Sequence, residues 1–139
     1  VRVIIEIKNG PIYYPGIAGR VTAVVRASGH DRVTVSSFDH FALRDVRALM
    51  NSLDTAVLYA ARPIDAVRMA RDAQATVLHP QWVFLRPELV GEAHAAGARV
   101  ETWTVDDAAH LAHVIAMRPD GIMTNFPARL RAILDAGSR

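Results

Sequence analysis

Short aliphatic runs alternate along the whole chain with longer stretches whose apolar residues recur every three or four positions. The first pattern is that of buried strands and the second that of helices packed by one face. Strands are predicted over residues 1–8, 32–38, 54–60, 75–80, 99–105 and 120–125. A helix is predicted over 17–28, with apolar residues at 17, 21, 24 and 25 and Gly29 as its C-cap. The next follows Asp39 as N-cap and turns Phe41, Leu43, Val46 and Leu49 inward. Pro63 opens a helix to about residue 72, and Pro87 one that ends at Gly97. Asp106 is read as the cap of a helix to about Met117, and Pro127 opens the last, which ends near Gly137.

Six strands each followed by a helix imply parallel pairing with right-handed crossovers, an α/β fold. No glycine-rich phosphate turn follows any strand, which argues against a dinucleotide-binding or P-loop sheet. Polar and aromatic residues gather where the strands end: Lys8, Ser37 and Phe38, Tyr59, His79, Trp103 and Thr104, Thr124 and Asn125. A (β/α)8 TIM barrel collects its site at those ends, whereas an open sheet needs such residues only beside its switch point. The rhythm therefore predicts about six units of a barrel, with two missing at the front because the chain opens inside a strand. Residues 1–139 are read as one partial barrel domain.

The first strand, VRVIIEIK, departs from the apolar rule. Five of its eight residues are β-branched aliphatics, yet Glu6 and Lys8 fall two apart and so share a face with Arg2 and Ile4. Val1, Val3, Ile5 and Ile7 make the opposite, apolar face. Charges on a strand face need partners or a metal, so a structural ion pair and a functional site both remain open. Lys8 is the only lysine among 16 basic residues. A lone ammonium where every other cation is guanidinium suits a site that needs a compact point charge.

Composition narrows the function less. Hydrophobic residues at 51% support a core, and the net charge is only +2. The arginines are scattered, which excludes a nucleic-acid stripe. There are no cysteines, hence no disulfides or thiolate metal sites. No apolar run is long enough for a transmembrane segment. Targeting stays open, since the sequence lacks an initiator methionine, with a cytoplasmic location favoured.

Four motifs in order, EIKN followed by YPG (residues 6–9 and 14–16), SSFDH (36–40), AHAAG with WTV (93–97 and 103–105) and DGIMTNFP (120–127), resemble the glycerophosphodiester phosphodiesterases. The likeness covers the whole chain. It implies a TIM barrel, represented here from its third strand to its eighth, that hydrolyses glycerophosphodiesters to an alcohol and glycerol 3-phosphate with a divalent cation, Mg or Ca. By the same resemblance Glu6 is a metal-ligating carboxylate and Lys8 a catalytic lysine close to the phosphate. Phe38 and Trp103 stand where pocket-lining aromatics occur. Asn125 stands where the family often has Asp and is assigned to the substrate with them. His79, which ends a strand, is read either as a phosphate or hydroxyl contact at the mouth or as a satisfied histidine.

The family's His-Arg, Glu…Asp and His-Asp motifs, which carry its acid–base histidines and further metal ligands, have no match here. The expectation is therefore a fragment inactive alone, with a non-catalytic barrel remnant or interaction module as the alternative. His110 and His113, spaced i, i+3, are read as a solvated helix face, and His94 as structural. The Trp82–Phe84 loop is left open between substrate contact and packing. If Trp103 points inward, Glu101 on the same strand face lies in the barrel and needs a cation, for which Arg2 is the candidate.

Overall fold

The computed structural model describes residues 2–137. Val1, assigned to the apolar face of the first strand, lies outside the described residues, as do Ser138 and Arg139. Six strands form one parallel sheet in sequence order: β1 (Val3–Ile7), β2 (Val33–Ser37), β3 (Asp54–Tyr59), β4 (Val77–Pro80), β5 (Arg99–Thr102) and β6 (Gly121–Ile122). The crossovers carry α1 (Ile17–Ser28), α2 (His40–Leu49), α3 (Ala66–Asp72), α4 (Pro87–Ala95) and α5 (Ala108–Ala116), and α6 (Pro127–Gly137) follows β6. Among the described residues β1 and β6 are edges, each paired on one side alone.

Strand parity divides the sheet into two surfaces. Ile7, Val35, Val57, Leu78 and Val100 point to the helix layer and join one core with residues such as Leu43, Val46 and Leu111 of the helices. The other surface is the lumen side, where register aligns Glu6, Ser36, Ala56, Val77 and Arg99 on successive strands. The even face of β1 is thus the lumen face, as the charge spacing predicts.

Several boundaries differ from the periodicity. α3 starts at Ala66 rather than near Pro63, because Asp65 accepts from the Arg68 amide at 2.7 Å and fixes the N-cap there. Asp107, not Asp106, caps α5, accepting from the amides of Ala109 and His110 at 2.8 and 3.2 Å. β6 spans only two residues, although Met123 after it still donates to the Thr102 carbonyl and accepts from the Val105 amide before Thr124 and Asn125 turn to Asp106. On α2 the buried stripe is Ala42, Leu43 and Val46, while Phe41 is 75% exposed and Leu49 47%. Leu43 is fully buried, so Leu43→Ala is expected to cost about 2–5 kcal/mol, read as a lower denaturation midpoint at unchanged m-value.

Candidate functional site

β1 ends in Lys8 and Asn9, and the chain then runs through a loop to α1. A side chain from β2 anchors that end: the Ser37 hydroxyl donates to the Ile7 carbonyl at 2.7 Å. Asn9 donates from its amide to Asp39 at 2.7 Å and accepts from the Tyr14 amide at 2.8 Å, which folds the loop back over the start of α2. The other carboxylate oxygen of Asp39 caps α2. These contacts shape a cleft of about 660 Å³ lined by Glu6, Lys8, Tyr13, Phe38, Asp39 and His40, among others. Two opposite charges, an aromatic wall and a helix N-terminus therefore meet at the C-terminal end of the strands, where a barrel places its chemistry.

Glu6 and Lys8 enter this cleft with their charged ends uncommitted among the described residues: neither makes a side-chain hydrogen bond or an ion pair. The structural ion pair that spacing left open is therefore not formed. Phe38 and Trp103 directly follow β2 and β5 and meet edge-to-face, with ring centroids 5.7 Å apart. The indole N–H of Trp103 donates to the His79 carbonyl at 2.8 Å, which fixes the ring. His40 was not singled out by its motif, yet it lines the cleft. Its Nε2 lies 3.0 Å from the Leu58 carbonyl, an acceptor, so that nitrogen carries the proton.

His79 is not at the mouth. It is fully buried, with Nδ1 3.0 Å from the Ser36 hydroxyl and Nε2 3.2 Å from Glu101. Strand position puts it near the mouth; strand parity turns it into the lumen, where Ser36 and Glu101 engage both ring nitrogens. Asn125 stands at an exposed turn, donating from its amide to Asp106 at 2.8 Å, with its backbone N–H on the same carboxylate. The Asp106 carboxyl is held below the usual range by those two Asn125 bonds, and it also accepts from Thr124. Trp82 stacks on His110, with centroids 4.3 Å apart, which makes that 3-10 turn a packing element against α5. His94 pairs with Asp120 at 2.8 Å.

Below the cleft the lumen holds an ionic network. Arg2 reaches Glu101 at 3.0 Å, the pairing expected for an inward Trp103. Arg99 binds Asp54 at 2.7 Å and approaches Glu101 at 3.6 Å. The His79 hydrogen bond holds the Glu101 carboxyl below its usual range; burial opposes it, and the charges of His79, Arg99 and Arg2 reinforce it. For Asp54, burial would raise the pKa, but the hydrogen bonds from Arg99 and Thr76 outweigh it and the net shift is downward. Such carboxylates bind fewer protons folded than unfolded. The stability they supply is full above the ordinary glutamate value of 4.5 and drains as pH falls through the depressed folded values. The denaturation midpoint is therefore expected to fall on acidification below about pH 4.5, and Glu101→Gln is expected to flatten that fall.

A hard divalent cation takes six or more oxygen ligands. Glu6 fits such an ion as one contributor, being an unpaired carboxylate in an open cleft. Among the described residues no group of three His, Cys, Asp or Glu converges, so a full ligand set is not assembled by them. No helix among the described residues is long and apolar enough to cross a membrane.

A parallel α/β wall with a free carboxylate, a free ammonium and an aromatic pair at its C-terminal rim defines a class, the (β/α)8 barrels that gather their site at the strand ends. Comparison with known proteins narrows it. Residues 3–129 match the model of the glycerophosphoryl diester phosphodiesterase family, and the chain belongs to that family. A glycerophosphodiester phosphodiesterase of Caldanaerobacter subterraneus subsp. tengcongensis is 35% identical over 134 residues, covering 96% of this chain and 55% of that protein. One from Bacillus altitudinis is 30% identical over 132 residues, covering 90% of this chain and 52% of its own. The chain spans about half the length of the curated relatives it matches. A crystal structure from Silicibacter pomeroyi, of a protein assigned as a glycerophosphoryl diester phosphodiesterase, superposes with TM-score 0.89 at 27% identity, over 98% of this chain and 51% of that one.

Proposed function

We propose that the chain is the C-terminal portion of a barrel that hydrolyses glycerophosphodiesters to an alcohol and glycerol 3-phosphate. The observation that carries the reading is the pair of uncommitted charges, Glu6 and Lys8, in one cleft beside the Phe38–Trp103 wall. Glu6 would supply one oxygen ligand to a Mg or Ca ion, and the ion when bound would supply positive charge against the phosphate. Lys8 places an ammonium where negative charge grows as the ester bond breaks. Phe38 and Trp103 give the glycerol carbons an apolar wall. Asn125, its amide spent on Asp106, keeps its carbonyl oxygen to accept from a substrate hydroxyl. His79 contacts no substrate in this scheme, because its ring is buried and both its nitrogens are engaged.

Cleavage also needs a group to take a proton and one to protonate the leaving alkoxide. The family resemblance assigns these to the histidines of the His-Arg and His-Asp motifs, which the sequence does not match. The test is a protein in which this chain is joined to the N-terminal half of the Caldanaerobacter relative. Release of glycerol 3-phosphate from glycerophosphocholine, with Mg or Ca present, supports the reading. A folded, all-parallel fusion without turnover would leave the alternative, a non-catalytic barrel module.

A further inference from the structure

The lumen network does more than neutralise buried charge. Glu101 is 6% exposed and divides its carboxylate between two walls of the barrel. Oε1 accepts from Arg2, just ahead of β1, and Oε2 meets His79 Nε2 on β4. The other ring nitrogen of His79 meets the hydroxyl of Ser36, the register partner of Glu6 on the neighbouring strand. A continuous line of polar side chains thus leaves β5 and crosses the lumen, one arm ending on Arg2 just ahead of β1 and the other on Ser36 of β2, the strand that pairs with β1. The two arms thus flank β1, which carries Glu6, leads directly into Lys8 and is an edge among the described residues. Nε2–H donates to the Glu101 carboxylate, and Nδ1 and the Ser36 hydroxyl share a hydrogen bond, so each member fixes the next.

The backbone opposite Glu101 is shaped for this. Gly121 is its register partner, and a Cβ built on Gly121 would lie 3.1 Å from Glu101 Cγ. The glycine leaves the space through which the Glu101 side chain turns into the lumen. The reach of Arg2 and the glycine opposite Glu101 are separate observations, and both serve the placement of one carboxylate.

We propose that His79 and Glu101 are positioning residues for β1, holding the Glu6 and Lys8 backbone in register from the far wall of the lumen. The functional consequence rests on the phosphodiesterase reading; the mechanical one does not. The test is amide hydrogen exchange across β1 in His79→Gln, Glu101→Gln and Gly121→Ala, with Val114→Ala as control. Val114 is fully buried on α5, away from the network. Each variant's global stability is measured in parallel, so that local loosening is separated from general destabilisation. In His79→Gln and Glu101→Gln the β1 amides should exchange about tenfold faster than the global loss accounts for. Gly121→Ala keeps every polar group and only displaces Glu101, so about a threefold excess is expected. In Val114→Ala, β1 exchange should follow global stability alone. If β1 exchange in Gly121→Ala and in whichever network variants fold also follows global stability alone, the positioning role is overturned. In the fusion protein the same variants should lower kcat more than they raise KM. If Glu6→Gln there leaves turnover unchanged, the phosphodiesterase reading fails, while the exchange result still decides the role of His79 and Glu101.

Discussion

Glu6→Gln in the completed barrel is expected to lower turnover of glycerophosphocholine by about 10²-fold or more and to move the Mg or Ca dependence to higher concentration. Glutamine keeps the size and one oxygen of glutamate but removes the negative charge, and charge is what a hard cation seeks. The substitution should cost little stability, because the Glu6 carboxylate makes no side-chain hydrogen bond or ion pair among the described residues. Lys8→Met separates the two roles. It removes an ammonium that also lacks a partner, so the fold should survive. Turnover should fall by about 10²–10³-fold with cation dependence unchanged, as for loss of one charge-stabilising group in a transition state. The measurement is initial rate against cation concentration for wild type and both variants. Unchanged rates and cation dependence in Glu6→Gln would remove the metal assignment.

The second large effect is the difference between the chain alone and the completed barrel. The 139-residue chain should show no measurable turnover, and the fusion should show it. An acid–base group contributes typically about 10²–10⁴-fold, and the cleft offers no described pair placed for that work. The chain alone should also associate. β1 and β6 present unpaired edges, with Val3 41% and Ile4 39% exposed on the first of them. Light scattering against concentration reads the association, and glycerol 3-phosphate release reads the activity. Turnover by the monomeric chain would require a catalytic group among the residues present, His40 foremost, because it lines the cleft.

The architecture was legible because it rests on period. Alternating strands and helices require parallel pairing, and the two-residue spacing of Glu6 and Lys8 put both on one face whatever the neighbours did. Arg2 and Glu101 met because a charge placed in a lumen must find its opposite. What escaped was decided between elements. Phe41 matches the apolar spacing of α2 yet faces the cleft, because Ala42 rather than Phe41 completes the stripe beside Leu43. Asp106 and Asp107 are adjacent and chemically alike. Only the approach of Asn125 gives the first to the turn after β6 and leaves the second to cap α5. His79 sits at a strand end by sequence, but whether such a residue is open or engaged depends on Ser36 and Glu101, carried from 43 and 22 positions away. Asp39 caps α2, as its place before the helical stripe predicts. Its second oxygen, which binds Asn9 and ties the loop after β1, follows from no local pattern.

The two tryptophans of the chain give it a pair of optical probes in separate surroundings. Trp103 touches Phe38 across the rim, so its emission samples the entrance to the cleft. Trp82 lies against the His110 ring on the outer layer and samples helix packing instead. With either indole replaced by phenylalanine, the remaining one becomes a site-specific fluorophore. A spectral change in Trp103 without one in Trp82 would then register an event at the mouth, such as arrival of a phosphate ester, with no external dye.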